Sequence, residues 1–158
     1  METAVITPEG LARLTEELDR LTGDGRREIA ERLRLAVALE ANTLESAHYV
    51  GVREDQALLE QRIHLLRERI GSARVVEPDP ANGRVDVGER VRVRDLDTGE
   101  RFEFDLVGPH EADPLARRLS VAAPLGRAVL GVRRGQTVDV DAPRGRRRFK
   151  VLRIAMPA

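Results

Sequence analysis

The chain has 158 residues, 41% of them hydrophobic, which suffices for a packed core in one domain or two small ones and excludes a disordered or collagen-like chain. Basic and acidic side chains balance at 27 each, so no net field draws the chain as a whole to nucleic acid or to an anionic membrane. The lack of cysteine excludes disulfides and thiolate metal sites and fits a reducing compartment.

The opening Met1-Glu2-Thr3-Ala4-Val5-Ile6 has neither the basic nor the apolar region of a signal peptide, and no apolar run nears the ~20 residues that span a bilayer. A cytoplasmic protein without a membrane partner is expected. Residues 1–76 carry 11 basic and 14 acidic side chains, net −3, and residues 77–158 carry 16 and 13, net +3. Every basic residue except Lys150 is arginine, which reads as coding bias.

Thr7-Pro8-Glu9 predicts a helix start: a hydroxyl to accept free amide hydrogens, proline at the first helical position and an acid at the positive dipole end. Leu11, Leu14, Leu18 and Leu21 form one apolar stripe, which Gly23-Asp24-Gly25 interrupts before Ile29, Leu33, Ala36 and Val37 continue it. The segment Ala41 to Tyr49 is expected to turn the chain. Beyond it Val52, Gln56, Leu59, Ile63, Leu66, Ile70 and Ala73 recur at alternating four and three, the seam of an antiparallel coiled coil. Roughly 25 helical residues at ~1.5 Å each make this arm close to 40 Å long, a finger with one buried seam and charged, solvated flanks.

Around Glu77-Pro78-Asp79-Pro80-Ala81-Asn82-Gly83 the period changes to two. Val85/Val87, Val91/Val93, Phe102/Phe104/Leu106, Val138/Val140 and Phe149/Val151 alternate with charged residues and read as half-exposed strands. Asp97-Thr98-Gly99 and Pro143-Arg144-Gly145 supply hairpin turns, and Pro124 to Leu130, closed by Gly131, fits one short helix. The expected fold class is α+β: an antiparallel coiled-coil hairpin over 1–76, a linker over 77–82 and a small antiparallel sheet domain with one short helix over 83–158.

The run Arg144, Arg146, Arg147, Arg148, Lys150 and Arg153 is basic without an acid, and Arg133-Arg134 is a candidate to join it. With no Trp, a single Tyr and three Phe, base-stacking partners are scarce, so a solvated or protein-docking face is expected over a single-strand binding site. His48, His64 and His110 lack metal-ligand spacing, and no metal is expected. No nucleophile elbow, phosphate loop or dinucleotide fingerprint is present, so a self-contained enzyme is not expected.

A long helical hairpin followed by a sheet domain with Gly108, Glu111-Ala112-Asp113, Ser120, Pro124-Leu125-Gly126-Arg127-Ala128 and Leu130-Gly131, with Tyr49, Arg53, Glu54 and Gln56 after the turn, resembles the bacterial GreA/GreB transcription factors over nearly the whole length. The resemblance implies a coiled coil that enters the secondary channel of RNA polymerase. It also implies an FKBP-like C-terminal domain that docks on the polymerase rim, where Pro124, Leu125, Gly126 and Arg127 match the family pattern. Polymerase core or holoenzyme is then the partner, nucleic acid is reached only through it, and a monomer is expected.

Active members resemble one another in a tip pattern like Gly-Asp-Leu-x-Glu-Asn-Ala-Glu-Tyr. The register set by Tyr49 puts Ala41 at the Gly, Asn42 at the Asp, Thr43 and Leu44 at the next two positions, Glu45 at the Glu, Ser46 at the Asn and His48 at the last Glu. The family's two acids help polymerase hold a second Mg²⁺ that cuts backtracked RNA. Mg²⁺ prefers charged oxygen ligands, and Asn42 offers a carbonyl oxygen without charge, so at most weak Mg²⁺ binding inside polymerase and little cleavage stimulation are expected. The alternative is a conventional cleavage and anti-arrest factor in which Glu40 supplements Glu45. A prolyl isomerase, suggested by the FKBP-like likeness, needs an apolar and aromatic pocket, whereas Phe102, Phe104 and Phe149 are expected to fill the core.

Overall fold

The computed structural model describes residues 3–39 and 46–157. It divides into two compact units, residues 12–72 and residues 1–11 with 73–158.

The first unit is the helical hairpin. Helix α1, Pro8–Arg20, starts as its sequence dictates: the Thr7 hydroxyl accepts the Gly10 N–H at 3.0 Å, and proline occupies the first turn, where no amide is needed. Gly23-Asp24-Gly25 does not break the helix. A π-helical turn, Leu21–Gly25, absorbs the irregularity, and helical backbone angles at Arg20 and Arg26 carry the chain into α2, Arg26–Leu39. Gly25 faces the other arm, where a Cβ would meet Leu59 Cδ1 at 3.4 Å, an ordinary packing distance.

Helix α3, Ala47–Ser72, is 26 residues long and buries Val52, Ile63 and Leu66 almost fully, while Leu14, Ile29 and Ala36 are the buried side chains of α1 and α2. Each such side chain stabilises the seam by about 1.5–3 kcal/mol. Three ion pairs cross between the arms: Glu17 with Arg62, Arg26 with Glu60 and Arg32 with Asp55, at 2.9, 2.9 and 2.6 Å. Two expectations are corrected here. Val37 is 54% exposed and lies off the seam, and Ala73 has left the helix to begin a strand.

The second unit opens with β1, Ala4–Ile6, paired in parallel with β2, Ala73–Val75. Its main sheet comprises β3 (Arg90–Asp95), β4 (Arg101–Val107), β5 (Arg118–Ser120), β6 (Thr137–Ala142) and β7 (Gly145–Ala155), in the order β5-β4-β3-β7-β6. The Asp97-Thr98-Gly99 and Pro143-Arg144-Gly145 turns form as expected, with Gly99 and Gly145 at φ 80° and 125°. The sheet is antiparallel except at β5, which runs parallel to β4 because 3₁₀ turns at Pro109–Glu111 and Pro114–Ala116 carry the chain back.

Val85 and Val87 do not form a strand. Val85 is buried and bonds through its backbone to Gly131 and Val132, while Val87 enters a turn with Gly88 at φ 102°. One face of the sheet carries the core of Val91, Val93, Phe104, Leu106, Val140, Phe149 and Val151, on which Val129 of α4, Pro124–Val129, is fully buried. Phe102, expected in this core, is 41% exposed and packs edge-on against Phe149 with ring centroids 6.4 Å apart.

Candidate functional site

The turn residues Ala41, Asn42, Thr43, Leu44 and Glu45, with Glu40, lie outside the described residues; what leads to them is described. Ser46 caps α3 by accepting the Tyr49 N–H at 3.0 Å, so Ala47, His48 and Tyr49, expected in the turn, are helical instead. His48 is exposed.

On the way out, Leu35, Val37 and Leu39 of α2 are exposed, Leu39 by 78%, and Val50 of α3 is exposed on the way back. From Leu35 to Val52 the chain has no Arg or Lys, and its only acids are Glu40 and Glu45. The described parts of both arms nearest the turn therefore expose apolar side chains and carry no Arg or Lys. Nearer the base, Arg26, Arg32 and Arg62 are committed to bridges between the arms. The Arg62 guanidinium holds the Glu17 carboxyl below its usual range and the Arg26 guanidinium does the same to Glu60, burial opposing both.

Pro124, Leu125, Gly126 and Arg127 form the first four residues of α4. They face two ways: Pro124 and Arg127 are exposed, whereas Leu125 packs toward the core and Gly126 is buried. A Cβ on Gly126 would fall 2.1 Å from the Ser120 carbonyl oxygen, so the residue lets the helix lie against the end of β5. Leu130 after the helix and Leu115 on the nearby-in-sequence 3₁₀ turn are exposed, Leu115 by 98%.

The basic run near the C-terminus is sorted by the sheet. Arg146, Arg147 and Arg148 lie beside Asp141, Asp95 and Asp139, at 3.3, 3.5 and 3.7 Å. Lys150 and Arg153 face out on the side opposite the core, where the register brings them to Arg94 and Arg92. Among the described residues no group of three or more His, Asp or Glu side chains gathers as a metal site, and no helix is long and apolar enough to cross a membrane.

The sequence model described as transcription elongation factor, N-terminal, matches residues 4–75, and that described as transcription elongation factor, GreA/GreB, C-term, matches residues 80–156. The chain belongs to the GreA/GreB family. Among Gre relatives, transcription elongation factor GreA of Syntrophobacter fumaroxidans is 39% identical over 98% of this chain and 99% of its own. The GreA of Thermodesulfovibrio yellowstonii is 38% identical over 95% of each. The crystal structure of GreA factor homolog 1 protein of Thermus thermophilus is 29% identical over 98% of this chain and 99% of that one, with a TM-score of 0.43.

For this Gre-type elongation factor, sequence reasoning offered Arg134 as a neighbour of Lys150 and Arg153, and the shallow depression that Arg134 lines with Arg153 agrees, but it missed that Arg94 and Arg101 join them. The signal was available in part. A hairpin turned at Asp97-Thr98-Gly99 sets the residues flanking it, Arg94 and Arg101, opposite each other.

Proposed function

We propose that the hairpin enters the secondary channel of RNA polymerase and modulates or inhibits transcription there without stimulating transcript cleavage. The observation that carries this reading is the pairing of Asn42 with Glu45 where the family pattern has two acids. Mg²⁺ held close to a second metal requires anionic oxygens, and in a water-poor channel one missing charge costs far more than in bulk water. The shortage extends beyond the pair, because His48 stands at a third acidic position and the distal arms expose leucine and valine.

A 26-residue α3, ~39 Å long, gives the finger its reach, and the cross-arm ion pairs and buried seam stiffen it. Nucleotides and backtracked RNA use the same passage, so an inert prong slows synthesis by occupying it. Pro124 and Arg127 of α4, with Leu125 and Gly126 shaping the helix beneath them, are the proposed docking contacts on the polymerase exterior. The protein acts as a monomer and at most as an accessory to the polymerase's own cleavage chemistry.

The test is RNA cleavage in stalled, backtracked complexes with the purified protein added. Cleavage no faster than in its absence, together with slowed extension, is the expected result; acceleration equal to that of an active Gre factor overturns it. The second reading, a conventional anti-arrest factor, draws on the retained Glu45 and on relatives that carry the GreA name. Under it Glu45→Ala abolishes a cleavage activity that the parent protein displays.

A further inference from the structure

The solvent face of the main sheet carries a row of like charges. Register places Arg94 of β3 directly opposite Arg101 of β4 on one side and Lys150 of β7 on the other, so three cations stand side by side across three strands. Strands lie ~4.8 Å apart, which makes the row about 10 Å wide. Like charges directly opposite destabilise a sheet, and a fold gains nothing from keeping three of them in line.

One row along, Arg92 lies between Glu103 and Arg153, and beyond it Arg90 faces Asp105. Two of these arginines are neutralised, Arg90 by Asp105 at 2.7 Å and Arg92 by Glu103 at 2.9 Å. Among the described residues Arg94, Arg101, Arg134, Lys150 and Arg153 are exposed and take part in no ion pair. Arg101, Arg134 and Arg153 join Arg92 and Leu152 around a shallow depression of about 350 Å³ whose lining includes no acid.

We propose that this face binds the phosphodiester backbone of nucleic acid without sequence preference. The cations extend from the depression across β3 to Lys150, a span that suits a row of phosphates better than one small anion. A protein partner is less well matched, because protein interfaces bury an apolar or aromatic centre within a polar rim, and here the centre is arginine with Leu152 alone. No aromatic ring is available for base stacking, since Phe102 shares the opposite face with Val93. Guanidinium groups contacting phosphates position a duplex without reading it. The contact is direct, which departs from the expectation that nucleic acid is reached only through polymerase.

Fluorescence anisotropy of the full chain with a labelled random duplex, between about 50 and 200 mM salt, tests the proposal. Five free cations lead to a slope of log K against log salt between about −3 and −5. The double variant Arg94→Gln/Arg101→Gln flattens that slope by about 2 and weakens low-salt binding by about tenfold or more. Arg27→Gln/Arg34→Gln on the hairpin changes net charge equally and leaves the slope as it was. Should the sheet double variant fail to fold, Lys150→Gln and Arg153→Gln each flatten the slope by about 1. Absence of salt-dependent binding, an equal loss in the hairpin control, or displacement by polyglutamate more readily than by unlabelled duplex overturns the proposal, the last in favour of an acidic protein surface.

Discussion

One carboxylate oxygen of Glu111 accepts the backbone N–H of Thr7 at 3.0 Å and that of Gly108 at 2.7 Å, while the other accepts a hydrogen bond from the Thr7 hydroxyl. The same hydroxyl oxygen accepts the Gly10 N–H, so a side chain from the loop after β4 closes the first turn of α1. Because Glu111 is buried, Glu111→Ala strands two amides and a hydroxyl away from water. At about 1–3 kcal/mol for each unsatisfied group, a loss of about 3 kcal/mol or more is expected, and Glu111→Gln, which keeps one accepting oxygen, loses less. Urea unfolding followed by circular dichroism measures both.

Two glycines are held by close backbone approach. A Cβ on Gly108 would sit 1.9 Å from the Val5 carbonyl oxygen, and one on Gly126 would sit 2.1 Å from that of Ser120. Neither oxygen is the end of a flexible side chain, so backbone must move. Gly108→Ala and Gly126→Ala are each expected to cost about 1–3 kcal/mol, with amide exchange accelerating around β1 in the first and around α4 in the second. Unchanged exchange in either variant removes this account of that glycine.

Acid and neutral pH should load different groups. Hydrogen bonding to Arg62 lowers the Glu17 pKa in the folded chain, so its stabilisation is present above the unfolded value near 4.5 and is lost as pH falls through the folded value. Glu89 runs the other way: burial raises its pKa, and the nearby Asp86 and Asp79 charges push in the same sense. Its folded state keeps the proton longer, so stability declines as pH rises from about 4.5 through the raised value. Glu89→Gln still accepts the Asp86 N–H, bonded at 2.8 Å in the parent. The variant is expected to raise the urea midpoint at pH 7 and to leave it nearly unchanged at pH 4.

At the turn, Asn42→Asp is expected to restore part of the cleavage stimulation in backtracked complexes, and Glu45→Ala placed in that background to remove it again. The gain should grow with Mg²⁺ concentration, since one carboxylate is being added to a weak site. No gain at any Mg²⁺ level means that charge is not what the finger lacks.

Much of this architecture is legible in the residues because its periods are clean. The four-three recurrence from Val52 to Ile70 gives the seam of α3, and alternation around Val91, Phe104 and Phe149 gives the sheet. What escaped is non-local. Val85 alternates like a strand residue yet is spent on the loop at Gly131 and Val132, and Phe102 sits at a strand position whose core side runs out at the sheet's end. Period alone could not find the Glu111 contact, which depends on a residue far along the chain meeting Thr7. The functional face of the sheet was half visible: the C-terminal cations stand out in sequence, but only pairing reveals that Asp139 and Asp141 remove some and that Arg94 and Arg101 replace them.

The short parallel ladder between Ala4–Ile6 and Ala73–Val75 sets an order of assembly. During synthesis the first strand emerges long before its mate, and it has nothing to pair with until the two helical arms have come together, a local event that proceeds quickly. A nascent chain released at Ser72 thus holds both arms and a leading strand without its mate, and it still lacks the Glu111 that closes the first turn of α1.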